Sequence, residues 1–351
     1  MAEQSSPDWM ALARRGRRHR MIFLGTITVF LTLVSLPVVM PYLWLLTMSV
    51  TTLGSAAVMQ VFWRAAGLVA VLYLALIVLP PLMPERFRTW VPAMAAAAAV
   101  ILTTLFILPL TTLNNFRFLW NPDVMAAQQG RSSTIGELPS IWSAMGNSFA
   151  LAGTQTALIL ITATPAAYAL SRLAFRGRET LSRGILLLHA FPVMALTVAI
   201  FIQSYWMGLL NSILGVVLVL TTLELPFAIL ILKTFFDAVP WDIEMSAVTD
   251  GASRWQAFRL VVLPQVSGGL IAVGTFTFLR GWEEYVYVTT LLIDNSHMVM
   301  SLYLFWVSQD AMGADPNLIA ATGVIYLLPV VALYVFAQKY LTQISFGGIK
   351  G

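Results

Sequence analysis

Runs of twenty or more mostly apolar residues, separated by short polar stretches, fill most of this chain. They lie near 21–48, 61–83, 91–113, 147–171, 183–207, 210–236, 265–293 and 317–341. A helix of ~20 apolar residues crosses the hydrocarbon of a bilayer. None of the runs alternates as a barrel strand would, and in hydrocarbon a helix bonds its backbone groups within its own segment. The pattern predicts an all-α integral membrane protein with about eight transmembrane helices. Two stretches, 114–143 and 294–316, are too polar to span and carry turn signals such as NPD and QQG.

Composition agrees with the pattern. Of the 351 residues, 59% are hydrophobic and only 10% charged, where a soluble domain carries about a quarter. The net charge of +4 does not point to nucleic acid, because the basic residues flank the apolar runs. With the N-terminus in the cytoplasm, 16 of the 20 Lys and Arg fall inside, and Arg64, Arg117 and Arg131 fall outside. Arg280 lies within a span. This bias predicts cytoplasmic N- and C-termini. The first run follows RRGRRHR and is longer than the ~7–15 residues of a cleavable signal core, so it is expected to remain as an anchor helix.

Several chemistries are absent from the sequence. There is no cysteine, and His19, His189 and His297 are scattered, so no metal site is expected. None of Lys233, Lys339 and Lys350 follows a glycine, so the chain lacks the phosphate-cradling loop of an ATPase. No nucleophile and base stand at a catalytic spacing. The expectation is a protein that is not an enzyme and binds no cofactor itself.

One cytoplasmic stretch interrupts the apolar pattern: VTDGASRWQAFRLVVLP, 248–264. Pro240 can open a helix there, with Asp242 and Glu244 near its positive end. Trp241, Met245, Val248, Ala252 and Trp255 recur at helical spacing, and Gly251 permits a bend or a left-handed turn. Pro264 is expected to end the segment before the next span. The residues alone fit two readings equally: a helix lying on the membrane surface, or a helix that docks on another protein.

The spacing Gly251–Leu263–Pro264 resembles the "EAA" loop of permease subunits in bacterial binding-protein-dependent ABC importers. Met245, Ser246 and Ala247 stand where that loop has Glu-Ala-Ala, so its start is degenerate. AAYALSRLAFRG (166–177), FP at 191–192, LELPF (223–227), WEEY (282–285) and the GGIKG tail are similar to the carbohydrate-uptake branch, of the maltose or glycerol-phosphate second-permease type. The resemblance covers roughly 143–351. It implies a permease core at 144–343, including a coupling loop at 237–264 whose contact residues are Glu244, Met245, Ser246, Ala247, Asp250, Gly251, Leu263 and Pro264. Outside that core lie a basic segment 1–20, an anchor helix with two additional helices in 21–113, an extracytoplasmic loop 114–143 and a tail 344–351. The implied partners are a second permease, two copies of a cytoplasmic ATPase that uses ATP and Mg, and an extracytoplasmic solute-binding protein. The implied cargo is a sugar-like small molecule crossing the bacterial cytoplasmic membrane by alternating access.

Charges inside the apolar runs are costly, about 3 kcal/mol each on insertion scales. Arg280, Glu283 and Glu284 are spaced to share one side of a helix. They read either as a lining of the translocation path or as a self-neutralising ion pair at a subunit interface. Glu224, beside Pro226, is a second buried carboxylate at a possible backbone break, suited to capping or to solute hydroxyls. The rival class is a proton-coupled secondary transporter acting alone, with these carboxylates as coupling groups.

Overall fold

A computed structural model describes residues 9–52, 55–84, 88–121, 139–190, 192–309 and 315–347. Among these, every regular element is helical. The helices are α1 (Trp9–Ser49), α2 (Ser55–Leu82), α3 (Val91–Phe106), α4 (Ile141–Arg172), α5 (Arg178–His189), α6 (Thr197–Trp206), α7 (Ile213–Ala238), α8 (Trp241–Thr249), α9 (Arg254–Ala257), α10 (Leu263–Gln265), α11 (Ser267–Glu283), α12 (Val286–Leu291), α13 (Met300–Ser308) and α14 (Pro316–Gly347). Six are long and apolar enough to cross a membrane, or up to eight if each of two bent pairs counts as one span. Arg86, Arg131, most of the 114–143 loop and the IKG tail lie outside the described residues.

The chain divides into two compact units. One comprises 1–116 with 315–324, the other 117–314 with 325–351. In the first, α2 packs against both α1 and α3. Trp44 and Phe62 meet edge to face, ring centroids 5.1 Å apart. The end of α1 is tied down by two amides: Asn115 Nδ2 donates to the Ser49 and Thr51 carbonyls (3.0 and 2.7 Å), and Asn317 Nδ2 donates to Thr51 (2.8 Å). Arg64 donates to the Phe106 carbonyl at 2.8 Å, a cation on a carbonyl at the end of α3. Phe30, Val38, Trp63, Val100 and Leu105 are exposed. In water that would be an adhesive surface, whereas in lipid it is the solvated one.

The second unit is built on α4 and α7. Ile159, Ala163, Ala167 and Leu170 of α4 pack with Ala228, Ile229, Leu232 and Phe236 of α7 in one buried cluster. Ser140 caps α4, accepting from the Trp142 N–H. Thr156, Thr162 and Thr164 each donate to the carbonyl one turn back, which satisfies their hydroxyls within the helix. The other main neighbour of α4 is α11, and their approach is close. A Cβ on Gly281 would lie 2.3 Å from Gln155 Oε1 and 3.0 Å from the Ala152 Cα. Gln155 is fully buried, and neither of its amide atoms has a hydrogen-bond partner. Near the start of α4, Asn147 Nδ2 donates to the Met298 carbonyl (2.9 Å), and Ser148 Oγ accepts from the Met300 N–H (2.7 Å), the first residue of α13.

Three expectations about these spans need correction. The fifth run is not one helix: α5 ends at His189, Pro192 is extended, and a 3-10 turn at Val193–Leu196 precedes α6. A proline lacks the N–H that would continue the ladder and disfavours helix in the residue before it. The seventh run also breaks, because Glu284 is extended between α11 and α12. By contrast, α7 runs through Pro226 without a break, so no backbone gap adjoins Glu224.

Candidate functional site

The 240–264 loop forms a compact helical hook. Pro240 precedes α8 as its N-cap. The helix stops at Gly251, whose φ of +94 is a region that side chains with a Cβ rarely adopt. The Ala252 N–H reaches back to the Ala247 carbonyl (3.0 Å), the six-to-one bond of a glycine-terminated helix. Ser253 and Gln256 then exchange hydrogen bonds in a capping box that starts α9. Phe258–Val262 is a π-helical turn, and Pro264 stands in the first turn of α10. The break before α11 therefore falls at Val266, not at Pro264, and the two arms meet at 72°. Because α8 ends before Gly251 and α9 starts only at Arg254, the expected five-residue apolar stripe is divided. Trp241, Met245 and Val248 share α8, while Ala252 and Trp255 lie beyond the turn.

What holds the hook is a buried charge cluster. Glu244 is 2% exposed. Its Oε1 accepts from the Tyr168 hydroxyl at 2.6 Å, and its Oε2 lies 3.4 Å from Arg172 Nε. That second contact is ionic rather than a hydrogen bond, since both atoms lack a hydrogen-bond partner. Arg172 also donates to the Phe236 carbonyl at 2.8 Å and to the Val239 carbonyl, and its guanidinium stands 5.5 Å from the centre of the Trp241 ring. A single arginine at the end of α4 thus grips the end of α7 and the start of α8. Phe258 and Val262 from the π-turn insert into the α4–α7 cluster, with the Tyr168 and Phe258 rings 4.5 Å apart. Beside the cluster, Ser171 donates to Asp237, which also pairs with Lys233 at 2.6 Å.

The residues expected to contact a partner are therefore not alike. Glu244 points inward and is consumed by Arg172 and Tyr168. Ser246, Asp250 and Pro264 are exposed, while Met245, Ala247 and Leu263 are half-buried. Trp241, Ile243 and Trp255 add exposed apolar surface beside them. Tyr168 and Arg172 were present in the sequence as a family-like stretch and a topological charge. Their partner lies far along the chain, and no local spacing signals the contact.

The intramembrane charges are arranged differently from the expected pair. Among the described residues, the ion pairs are Arg172–Glu244, Arg183–Glu179 and Lys233–Asp237, and Arg280 forms none with Glu283 or Glu284. For Glu284 the cause is the end of α11. Glu284 has left the helix, so the i to i+4 geometry with Arg280 is lost, and its carboxylate instead accepts from the Tyr287 N–H at 2.8 Å. Glu224 is half-buried on α7. Arg280 and Glu283 are exposed at the surface of the chain. No group of three or more His, Asp or Glu among the described residues is placed to hold a metal.

A model of the family described as "Binding-protein-dependent transport system inner membrane component" matches residues 159–343, more than half of the chain. The chain belongs to this family. The matched region contains α5 to α13, most of α14, the hook and the whole Arg172–Glu244 cluster. The diacetylchitobiose uptake system permease protein DasC of Streptomyces coelicolor is 29% identical over 236 residues, 66% of this chain and 84% of that one. The trehalose transport system permease protein SugB of Mycobacterium tuberculosis is 27% identical over 69% of this chain and 88% of its own length. The sulfoquinovosyl glycerol transport system permease protein SmoH of Agrobacterium fabrum is 31% identical over 58% and 72%. The fold is similar to that of a chain in a bacterial ABC transporter involved in the import of the acidic polysaccharide alginate. The TM-score is 0.64, with 92% of this chain and 98% of that one covered, at 19% identity. This family member is a multi-pass membrane protein with an all-helical importer-permease fold.

Proposed function

We propose that this family member is a permease subunit of an ATP-driven importer and carries a sugar or sugar-like solute across the cytoplasmic membrane by alternating access. In this reading the hook at 240–264 docks on an ATPase subunit, and ATP and Mg are used there, not by this chain. A second permease and an extracytoplasmic binding protein complete the assembly. The N- and C-termini are cytoplasmic, 114–143 faces outward, and 144–343 is the working core. The observation that carries the reading is the hook itself: a short helix with exposed Trp241 and Ile243, locked to the core by a buried ion pair. A helix that only lay on lipid would have its orientation set by its own apolar face and would not need a buried ion pair to fix it. Support for a sugar comes from the relatives, whose names refer to diacetylchitobiose, trehalose and sulfoquinovosyl glycerol. Arg280 and Glu283, exposed on α11, are proposed to face the translocation path or the second permease, where water or opposite charge offsets their cost.

The test is a mild-detergent purification of the chain from its native membranes, with the co-purifying proteins identified. Recovery of an ATPase with a phosphate-binding loop, together with a second permease, is the expected result. A chain that comes out alone and transports in liposomes without ATP is a proton-coupled secondary transporter instead.

A further inference from the structure

We infer that α4 is a strut that carries movement of the docking loop to α13, with Tyr168, Arg172 and Glu244 as positioning residues at one end and Ser148 at the other. The inference rests on the importer reading above and adds a route through this particular chain.

Both ends of α4 are pinned by buried, directional contacts. At Arg172 the helix holds Glu244 of α8 and the last carbonyls of α7; both charged side chains are 7% exposed or less. At Ser148 it holds the Met300 N–H, a donor in the first turn of α13 that no helical carbonyl can reach. Asn147 adds a second bond there, to Met298. The helix that carries both pins is continuous for 32 residues from Ile141 to Arg172, through Pro165, about 48 Å at the rise of an α-helix. The two hydroxyls, on Ser148 and Tyr168, are about 30 Å apart on the same rise.

Burial of these groups is hard to explain by stability alone. A buried ion pair is seldom more stable than apolar residues filling the same space. What it does provide is a single orientation, because both charges lose their partners if α8 rotates. The joint at the Arg172 end is therefore stiff, and displacement of α8 becomes tilt of α4 instead of local slack. Gln155 sits on the shaft with its amide wedged against Gly281 of α11, so α4 has little freedom to slide along that neighbour.

The strut predicts coupling between two distant single-oxygen deletions, Tyr168→Phe and Ser148→Ala. Substitutions so far apart are normally additive. Because the chain has no cysteine, one introduced at exposed Ser308, the end of α13, reports that element alone. The measurement is its maleimide modification rate in the complex purified with its native partners, with and without ATP plus vanadate. In the parent, nucleotide is expected to change the rate. Each variant should reduce that response about tenfold, the scale of one hydrogen bond to a charged or buried group, and the double variant should be no worse than either. Glu244→Gln should repeat the result at the inner end, and recovery of intact complex excludes a folding defect. Variants that respond like the parent, or a double variant showing the product of the two losses, would overturn the strut. A parent that holds its ATPase yet shows no nucleotide response would do the same. A parent that recovers no ATPase overturns the importer reading itself.

Discussion

Arg172 has more to do than any other side chain in the loop region. Its guanidinium faces a carboxylate, two backbone carbonyls and an indole ring. A lysine, with one compact charge, could not serve all four. Arg172→Met should leave Glu244 buried without a counter-charge, which costs about 3–5 kcal/mol. Removing both charges in Arg172→Met/Glu244→Leu should restore part of that loss, the unpaired-charge penalty, while the Tyr168 hydroxyl and the Phe236 and Val239 carbonyls stay without these partners. Thermal unfolding of the three proteins in one detergent checks this. A double variant less stable than Arg172→Met would mean that the cluster acts through something other than its charges. The sequence made Gly251 legible, because a glycine in a polar loop at a family spacing has few other uses. It did not reveal the inward turn of Glu244. An acidic residue in the first turn of a helix already has a sufficient local reason in the helix dipole.

Elements were more legible where they were long. Hydropathy averaged over ~19 residues locates spans well but is blind to a break of one or two residues. That is why the eight runs are recognisable in the helices, while the interruptions at Pro192 and Glu284 were not foreseen. The contact between α4 and α11 was also invisible, since Gly281 and Gln155 are far apart in sequence and neither is unusual in its own run. Gly281→Ala should weaken this pair, as its new methyl would stand 2.3 Å from Gln155 Oε1 and 3.0 Å from the Ala152 backbone. Overpacking of this kind costs about 1–3 kcal/mol. Gln155→Ala in the same chain should recover part of the loss, leaving the 3.0 Å contact with the Ala152 backbone. The melting temperatures of the single and double variants measure this directly, and an unchanged Gly281→Ala protein would show that the helices separate easily.

At the scale of the whole molecule, the sequence bias of Lys and Arg predicts an orientation that can be tested independently of partners. Ser253 lies in the hook, and Ser296 lies in the polar stretch after α12. Both are exposed, and the chain has no cysteine to confuse the labelling. Ser296→Cys should react with a membrane-impermeant maleimide in intact spheroplasts, and Ser253→Cys only after permeabilisation. The opposite pattern would invert the topology and move the hook away from any cytoplasmic ATPase. The first three helices stand apart in another way. The family model begins at residue 159, inside α4, so the general family pattern explains the hook and its cluster but not α1 to α3.

The π-turn at Phe258–Val262 has a consequence for how such a loop can evolve. A π-turn holds one residue more than the α-turn it replaces. Losing one residue within Phe258–Val262 would let the turn relax to α-helix while the segments on either side keep nearly their present phase. The same loss in an uninterrupted α-helix would rotate everything before it by about 100°. The turn thus works as a length buffer: it takes up one residue locally, so that Trp255 and the hook before it keep their face.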